Sequence, residues 1–305
     1  MTDLDALLRS VLDPHLHATE SLVAWWDATA PQRSAWTTPI DRAIAGGACA
    51  DRVGFAFAAG YAEALRALLP SAPQDSINAL CASEEGGNHP RAIQTRLEPV
   101  DGGGYVLTGN KRWATMASAA QSLLVVASTG TDSTGKNRLR VVRVPAGAAG
   151  VRIEASVTPF VPEIPHARVT LDRVAVSEAD LLPGDGYDDY LKPFRTIEDL
   201  HVHAALLGYL IAVARRHGFP HDTVERLLAI TIATRALAAA DPKSTTTHLA
   251  LAGLLHLATE CTTELEHLWQ PGAERTRWDR DRVLLQVAGT ARAARRDRAW
   301  TTFQR

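Results

Sequence analysis

The densest chemistry in this chain lies within nine positions, at Arg195, Glu198, Asp199, His201 and His203. On a helix Glu198 and His201 stand at i,i+3 and Asp199 and His203 at i,i+4, so each acid shares a face with an imidazole. A carboxylate so placed is a general base when apolar surroundings raise its pKa towards neutrality; Arg195, within reach of both acids, pushes the other way. Charges at a helix start also serve only to offset the helix dipole and to form ion pairs, and spacing alone does not choose between these roles. The eleven histidines include the pairs His15/His17 and His201/His203, but i,i+2 spacing points two rings apart on a helix. With no His-Glu-x-x-His and no clustered cysteines, no metal site is expected. No Gly-x-Ser-x-Gly nucleophile turn is present. Gly102, Gly103 and Gly104 form a hairpin turn rather than a phosphate loop, because no helix follows them.

The elements that must carry these residues change type twice along the chain. Residues 1–78 read as helical. Leu4, Leu7, Leu8, Val11 and Leu12 recur at helical spacing, a second pattern runs over 17–26, and a third over 48–69 with Phe55, Phe57 and Tyr61 among alanines. Pro31 and Pro39 bracket a loop, and Pro70 and Pro73 end the third helix. Residues 79–185 read as short strands between Gly/Pro turns: Tyr105 to Thr115, Ser122 to Ala127, Leu139 to Val144, Val151 to Ile153 and Ala167 to Leu171. Such strands form a small antiparallel, barrel-like unit. Residues 186–305 carry four helical patterns, over 197–216, 223–239, 247–268 and 280–302, separated by Gly218, Pro220, Pro242, Pro271 and Gly272. The spacing predicts a four-helix bundle. The expected class is α+β, with a short N-terminal helical unit, a central β-barrel-like unit and a C-terminal bundle.

The residues of the β unit sharpen this. Leu80-Cys81-Ala82-Ser83-Glu84-Glu85-Gly86-Gly87, then Thr95, then Tyr105-Val106-Leu107-Thr108-Gly109-Asn110-Lys111-Arg112-Trp113-Ala114-Thr115 resemble the middle domain of the acyl-CoA dehydrogenase family. Leu171-Asp172-Arg173-Val174-Ala175-Val176 and Leu181-Leu182-Pro183-Gly184-Asp185-Gly186 look like that family's exit into its bundle. The resemblance covers about 79–216. It implies FAD, with Ser83, Trp113 and Thr115 at the family's flavin-contacting positions: an aromatic wall that excludes water, and hydroxyls at the ring's polar edge. On its own, Trp113 reads equally as a core tryptophan on a half-buried strand. The resemblance also implies a base for an α-proton. In some members this glutamate stands ten residues before a glycine on the first bundle helix. Counting back from Gly208 gives Glu198, with Asp199 next in line if the register shifts by one.

The implied activity is α,β-dehydrogenation of an acyl thioester, carried by CoA or a carrier protein, with an unspecified electron acceptor and a homo-oligomeric assembly. The chain departs from the family at several places. It has no late Glu-Gly-Thr and no late Gly-Gly-x-Gly. Arg216-His217-Gly218-Phe219-Pro220 echoes the family's Arg-x-x-Phe-Gly about two helical turns early, and the segment after Glu85 is about one residue short, leaving the family's serine there unmatched. These departures sustain an alternative, a diverged member that has lost flavin and acts as a binding or scaffold protein.

Composition bounds the rest. The 305 residues are 46% hydrophobic and 22% charged, which excludes disordered and collagen-like classes and allows a sizeable core. A net charge of −2 from 32 basic and 34 acidic residues argues against general capture of nucleic acid. Residues 274–305 hold nine arginines and four acids, net +5, leaving −7 elsewhere. Arg292, Arg295, Arg296 and Arg298 would suit CoA phosphates or an acidic partner, or form a solvated, ion-paired face. No apolar run reaches the ~18 residues of a membrane span. Acids near the start and three scattered cysteines fit a cytoplasmic protein.

Overall fold

A computed structural model describes residues 3–71, 75–87 and 89–304; Pro73, expected to help end the third helix, and Asn88 of the β-unit motif lie outside them. The chain divides into two units. One is Met1–Pro70, Pro159–Glu163 and Phe194–Arg305, the other Ser71–Thr158 and Ile164–Pro193.

The first unit is helical. Its N-terminal helices are α1 (Leu4–Leu12), α2 (Leu22–Ala28), α3 (Ala30–Ser34), α4 (Pro39–Ala48) and α5 (Val53–Leu68). Its later helices are α6 (Lys192–Arg216, in this unit from Phe194), α7 (His221–Leu237), α8 (Thr245–Leu265), α9 (Ala273–Asp281) and α10 (Gly289–Phe303). The prolines at 31 and 39 do not bracket a loop: each sits in the first turn of a helix, α3 and α4. There a missing N–H costs nothing and the fixed φ suits helix entry. Thr38 completes the start of α4 by accepting from the Asp41 N–H. The pattern expected as one helix over 48–69 belongs to α5, and Ala48 closes the preceding helix. The pattern over 17–26 yields a helix only from Leu22, where the Ser21 hydroxyl accepts from the Ala24 N–H.

The last expected helix, over 280–302, is broken. A 3₁₀ stretch, Arg282–Gln286, separates α9 from α10. The carbonyl of Leu285, at that break, accepts from Arg292, so a side chain satisfies a group that a continuous helix would have used. Helix α6 is the apolar spine of the unit, and its residues from 199 to 214 are all buried. With its preceding π-helical turn it makes one stretch, Gly186–Arg216, long and apolar enough to cross a membrane by length and composition; 89% of the apolar window is buried inside the protein. This differs from the sequence reading because His, Gly and Tyr interrupt the apolar run without lowering its mean hydropathy below that of a span. Glycines let α6 close on α4: a Cβ at Gly47 would meet the carbonyl of Ala205, and one at Gly208 the carbonyl of Ile44.

The second unit is a curled seven-stranded sheet: β1 (Asn78–Cys81), β2 (Arg96–Pro99), β3 (Tyr105–Thr115), β4 (Ser122–Thr131), β5 (Asn137–Pro145), β6 (Val151–Ser156) and β7 (His166–Val176). The order is β1-β4-β2-β3-β7-β6, with β5 also on β4. It is not wholly antiparallel, as expected, because β1 and β2 both pair with β4 in parallel. The long excursion between β1 and β4, which carries the β2–β3 hairpin, provides the crossover a parallel pairing requires. Leu97, Leu107, Leu123, Val125, Val142, Val144, Val169 and Leu171 fill the inner face.

Candidate functional site

In the β unit, strand β3 turns its inward residues into the core at alternate positions, with Leu107 and Lys111 buried. Period-two alternation would send Trp113 inward as well. Instead the pairing of β3 with β7 shifts register between Lys111 and Ala114. Trp113 takes a left-handed backbone, φ 63°, and Ala114 occupies the buried place. The indole is left 54% exposed. A bulky residue at positive φ is rare, and bulges that re-aim a side chain gather at functional sites. The guanidinium of Arg112 lies 5.2 Å from the indole centroid and bonds Glu85 at 3.1 Å.

Ser83 lies beside this bulge, its carbonyl accepting from the Arg112 N–H at 3.1 Å. Ser83 and Thr115 are half-buried. Neither hydroxyl makes a hydrogen bond to the described residues, which leaves both available to a ligand. The structure thus brings Ser83 next to the strand that carries Trp113 and Thr115. An exposed aromatic plane with two free hydroxyls nearby is a donor set that suits a flat heteroaromatic ring.

Sequence reasoning missed what holds this corner. Lys111 is buried and its ammonium bonds Glu84 Oε1 at 2.7 Å and the Ala82 carbonyl at 3.3 Å. The Glu84 carboxylate also accepts from Thr95 N–H and Oγ1 and from Gln94 N–H. Burial pushes the Glu84 pKa up, but Lys111 and these N–H donors outweigh it and hold the carboxyl below its ordinary value. The signal was available: a lysine at an inward strand position needs a buried partner. An open concavity of about 1590 Å³ in this unit is lined by Arg91, Arg96, Asn110, Thr129 and Arg173 among others, and by none of Ser83, Trp113 or Thr115.

In the helical unit, the first turns of α6 carry the acids. Glu198 is half-buried and takes no hydrogen bond or ion pair from the described residues. Burial, then the adjacent Asp199, raises its pKa from 4.5 to about 7, against the pull of Arg292 and Arg195. Asp199 differs completely. It is 7% exposed, and its Oδ1 accepts from Arg292 Nε at 2.9 Å while its Oδ2 accepts from Arg295 at 2.5 Å. The two basic residues stand at i,i+3 on α10, so two of the four arginines considered for phosphate or an acidic partner are engaged within the chain. His201 and His203 are buried, and burial lowers both to about 4, so both are neutral at pH 7. His201 Nδ1 lies 2.8 Å from the Ile197 carbonyl, and the Nε2 of His203 is buried without a hydrogen bond among the described residues. Of the two acids, Glu198 is the one without a hydrogen bond or ion pair among the described residues.

Residues 79–174 match the family model described as acyl-CoA dehydrogenase, middle domain. The probable acyl-CoA dehydrogenase YngJ of Bacillus subtilis is 32% identical over 135 residues, which are 43% of this chain and 33% of that protein. The chain thus spans about a third of that curated relative's length. Among solved structures, butyryl-CoA dehydrogenase from Megasphaera elsdenii superposes with a TM-score of 0.67 at 14% identity, over 98% of this chain and 90% of that one. A glutaryl-CoA dehydrogenase from Mycobacterium smegmatis, in complex with FADH2, gives 0.62 at 15% identity, over 98% and 95%. The resemblance read from the residues is borne out over 79–174, which match the acyl-CoA dehydrogenase middle-domain model, and the chain has the α+β fold seen in the acyl-CoA dehydrogenases.

Proposed function

We propose that this chain, built around an acyl-CoA dehydrogenase middle domain, is a flavin-dependent oxidoreductase that introduces an α,β double bond into an acyl thioester. The substrate is carried by CoA or a carrier protein, and FAD is the cofactor. The enzyme acts as a cytoplasmic homo-oligomer. The observation that carries the reading is Trp113: an indole put out of the sheet by a strained bulge at the position where the family contacts its flavin.

In this reading Trp113 walls the flavin ring and excludes water from one side, while the free hydroxyls of Ser83 and Thr115 bond its polar edge. The buried Glu84–Lys111 pair fixes the loop of Ser83 against the strand of Trp113. Bound flavin supplies a two-electron acceptor for the hydrogen lost from the β-carbon. Glu198 takes the α-proton. Its pKa near 7 suits a base that must be ionised at neutral pH and yet hold a proton once it has it.

The visible absorption spectrum tests this, recorded on purified protein before and after incubation with FAD and desalting. Flavin bands that persist after desalting, and that bleach when acyl thioesters are added, are the expected result. A protein that stays colourless after exposure to FAD would overturn the reading in favour of a flavin-free binding protein.

A further inference from the structure

We propose that Arg292 and Arg295, reaching from α10, clamp Asp199 so that only Glu198 of the two adjacent acids is left to receive a proton. Asp199, Arg292 and Arg295 are thus positioning residues for that base. The proposal rests on the reading of Glu198 above and deepens it.

The geometry carries the argument. Two carboxylates on consecutive residues at the start of one helix compete for the same cations and the same protons. Here the division is complete. Both oxygens of Asp199 are taken: Oδ1 by Arg292, with Nε at 2.9 Å and the terminal nitrogen at 2.8 Å, and Oδ2 by Arg295 at 2.5 Å. Both arginines are tied further, Arg292 to the Leu285 carbonyl at 2.9 Å and Arg295 to the Arg195 carbonyl at 3.2 Å. The clamp is therefore anchored at the break between α9 and α10 on one side and at the first turns of α6 on the other. Charge-assisted pairs of this kind are shorter and stronger than neutral ones, and the planar fork of arginine fixes the carboxylate's direction.

The charges that act on Glu198 are those of Arg195 and Asp199 on its own helix and Arg292 on α10. The clamp brings Arg295 to the other side of Asp199, and His203, buried nearby and neutral, completes the set. Asp199, the adjacent like charge, holds the proton affinity of Glu198 up by repulsion. Arg292 sets how far, because it is the cation shared between the two acids.

This arrangement predicts shifts of opposite sign, which a merely structural cluster would not give. The experiment is a ¹³C-carboxyl NMR titration of the full chain labelled at glutamate, with the Glu198 signal assigned by its loss in Glu198→Gln. Neither flavin nor substrate is needed. Asp199→Asn removes a negative neighbour and releases Arg292 towards Glu198, so the Glu198 midpoint falls by about one pH unit or more. Arg292→Gln removes the cation that lowers the Glu198 pKa, so the midpoint rises by about one unit. Arg292→Lys keeps the charge and restores the midpoint to within a few tenths of a unit of the parent. Arg295→Gln, which leaves Arg292 on Asp199, supplies a milder variant should Arg292→Gln not fold.

Unchanged midpoints in folded Asp199→Asn and Arg295→Gln, or movement of Asp199→Asn and Arg292→Gln in the same direction, would overturn the clamp. The acid limb of the turnover profile, measured with a thioester that bleaches the flavin, is expected to follow the NMR midpoints. Midpoints that move as stated while turnover ignores them would leave the clamp standing and overturn Glu198 as the base.

Discussion

At the scale of single residues, Glu198 and Trp113 are both held in unfavourable states, and both are positions where chemistry is expected. Glu198 is held with its carboxyl unpaired and its pKa near 7. Its ionised fraction at pH 6 is about a tenth, so turnover should rise about tenfold from pH 6 to a plateau above pH 8. Glu198→Gln should cost about 10²–10⁴-fold in turnover with FAD retained. The same substitution has a stability signature with a defined sign. The folded-state pKa lies above the unfolded value, so the native state favours the protonated acid. That contribution is full below about pH 4.5 and is lost as pH rises through 7. Glutamine never ionises, so Glu198→Gln should melt a few °C above the parent at pH 8 and level with it at pH 4. Scanning calorimetry at the two pH values checks this, and a lower melting point at pH 8 would contradict the burial argument. Trp113 is the second case. Glycine adopts φ 63° without the steric cost a tryptophan meets there, about 1–2 kcal/mol. With the indole already exposed, little packing is lost. Trp113→Gly should therefore match or exceed the parent in denaturant midpoint while losing at least tenfold in FAD affinity.

At the scale of elements, the sequence makes the long periodic pieces legible and hides the short or interrupted ones. The Gly109-to-Thr115 strand stands out because its residues carry both a β pattern and a family motif. That is why Trp113 and Thr115, and Ser83 with them, are singled out from sequence as candidate flavin contacts. Strands β1 and β2 are four residues each, too short for period two to register, and their parallel pairing to β4 depends on partners far along the chain. The bulge at Trp113 is invisible for a different reason: a one-residue insertion in the ladder leaves no mark on composition, only on which residue faces inward. The Asp199 clamp joins residues 93 and 96 apart in sequence, so spacing along α10 offered its arginines to phosphates, an acidic partner or solvent and gave no sign of Asp199. The packing of α6 on α4 is testable at this scale. A Cβ at Gly47 or Gly208 would run into main-chain atoms of the facing helix, and backbone cannot move aside as a flexible side chain does. Either Gly→Ala should destabilise the helical unit by about 1–3 kcal/mol despite alanine's better helix propensity. Urea unfolding followed by far-UV circular dichroism measures it, and a stabilised variant would show that the helices do not approach so closely.

At the scale of the whole molecule, the helical unit is assembled from the two ends of the chain. Helices α1–α5 and α6–α10 belong together, joined by the short segment Pro159–Glu163 that the chain contributes between β6 and β7. That segment is pinned by a buried carboxylate: Asp281 Oδ1 accepts from the Val161 N–H at 2.7 Å while both its oxygens hold Arg280. A second tie spans 194 positions, where Arg235 of α7 donates to both oxygens of Asp41 on α4 at 2.5 and 3.0 Å. Asp41 is fully buried there, whereas Arg235 is partly exposed. The asymmetry decides what each substitution does. Removing the arginine strands a charge in the interior, which costs about 3–5 kcal/mol. Removing the acid leaves a guanidinium that can turn to water, which costs less. Arg235→Ala should thus be clearly more destabilising than Asp41→Asn. Because the contact joins the chain's N-terminal and C-terminal helices, the loss should appear as a shift of one cooperative transition rather than as fraying of α7 alone. Calorimetry decides between them. A single endotherm displaced as a whole means the ends fold together. A new low-temperature shoulder with the main transition unmoved would mean that α1–α5 hold their structure without the helices from the other end.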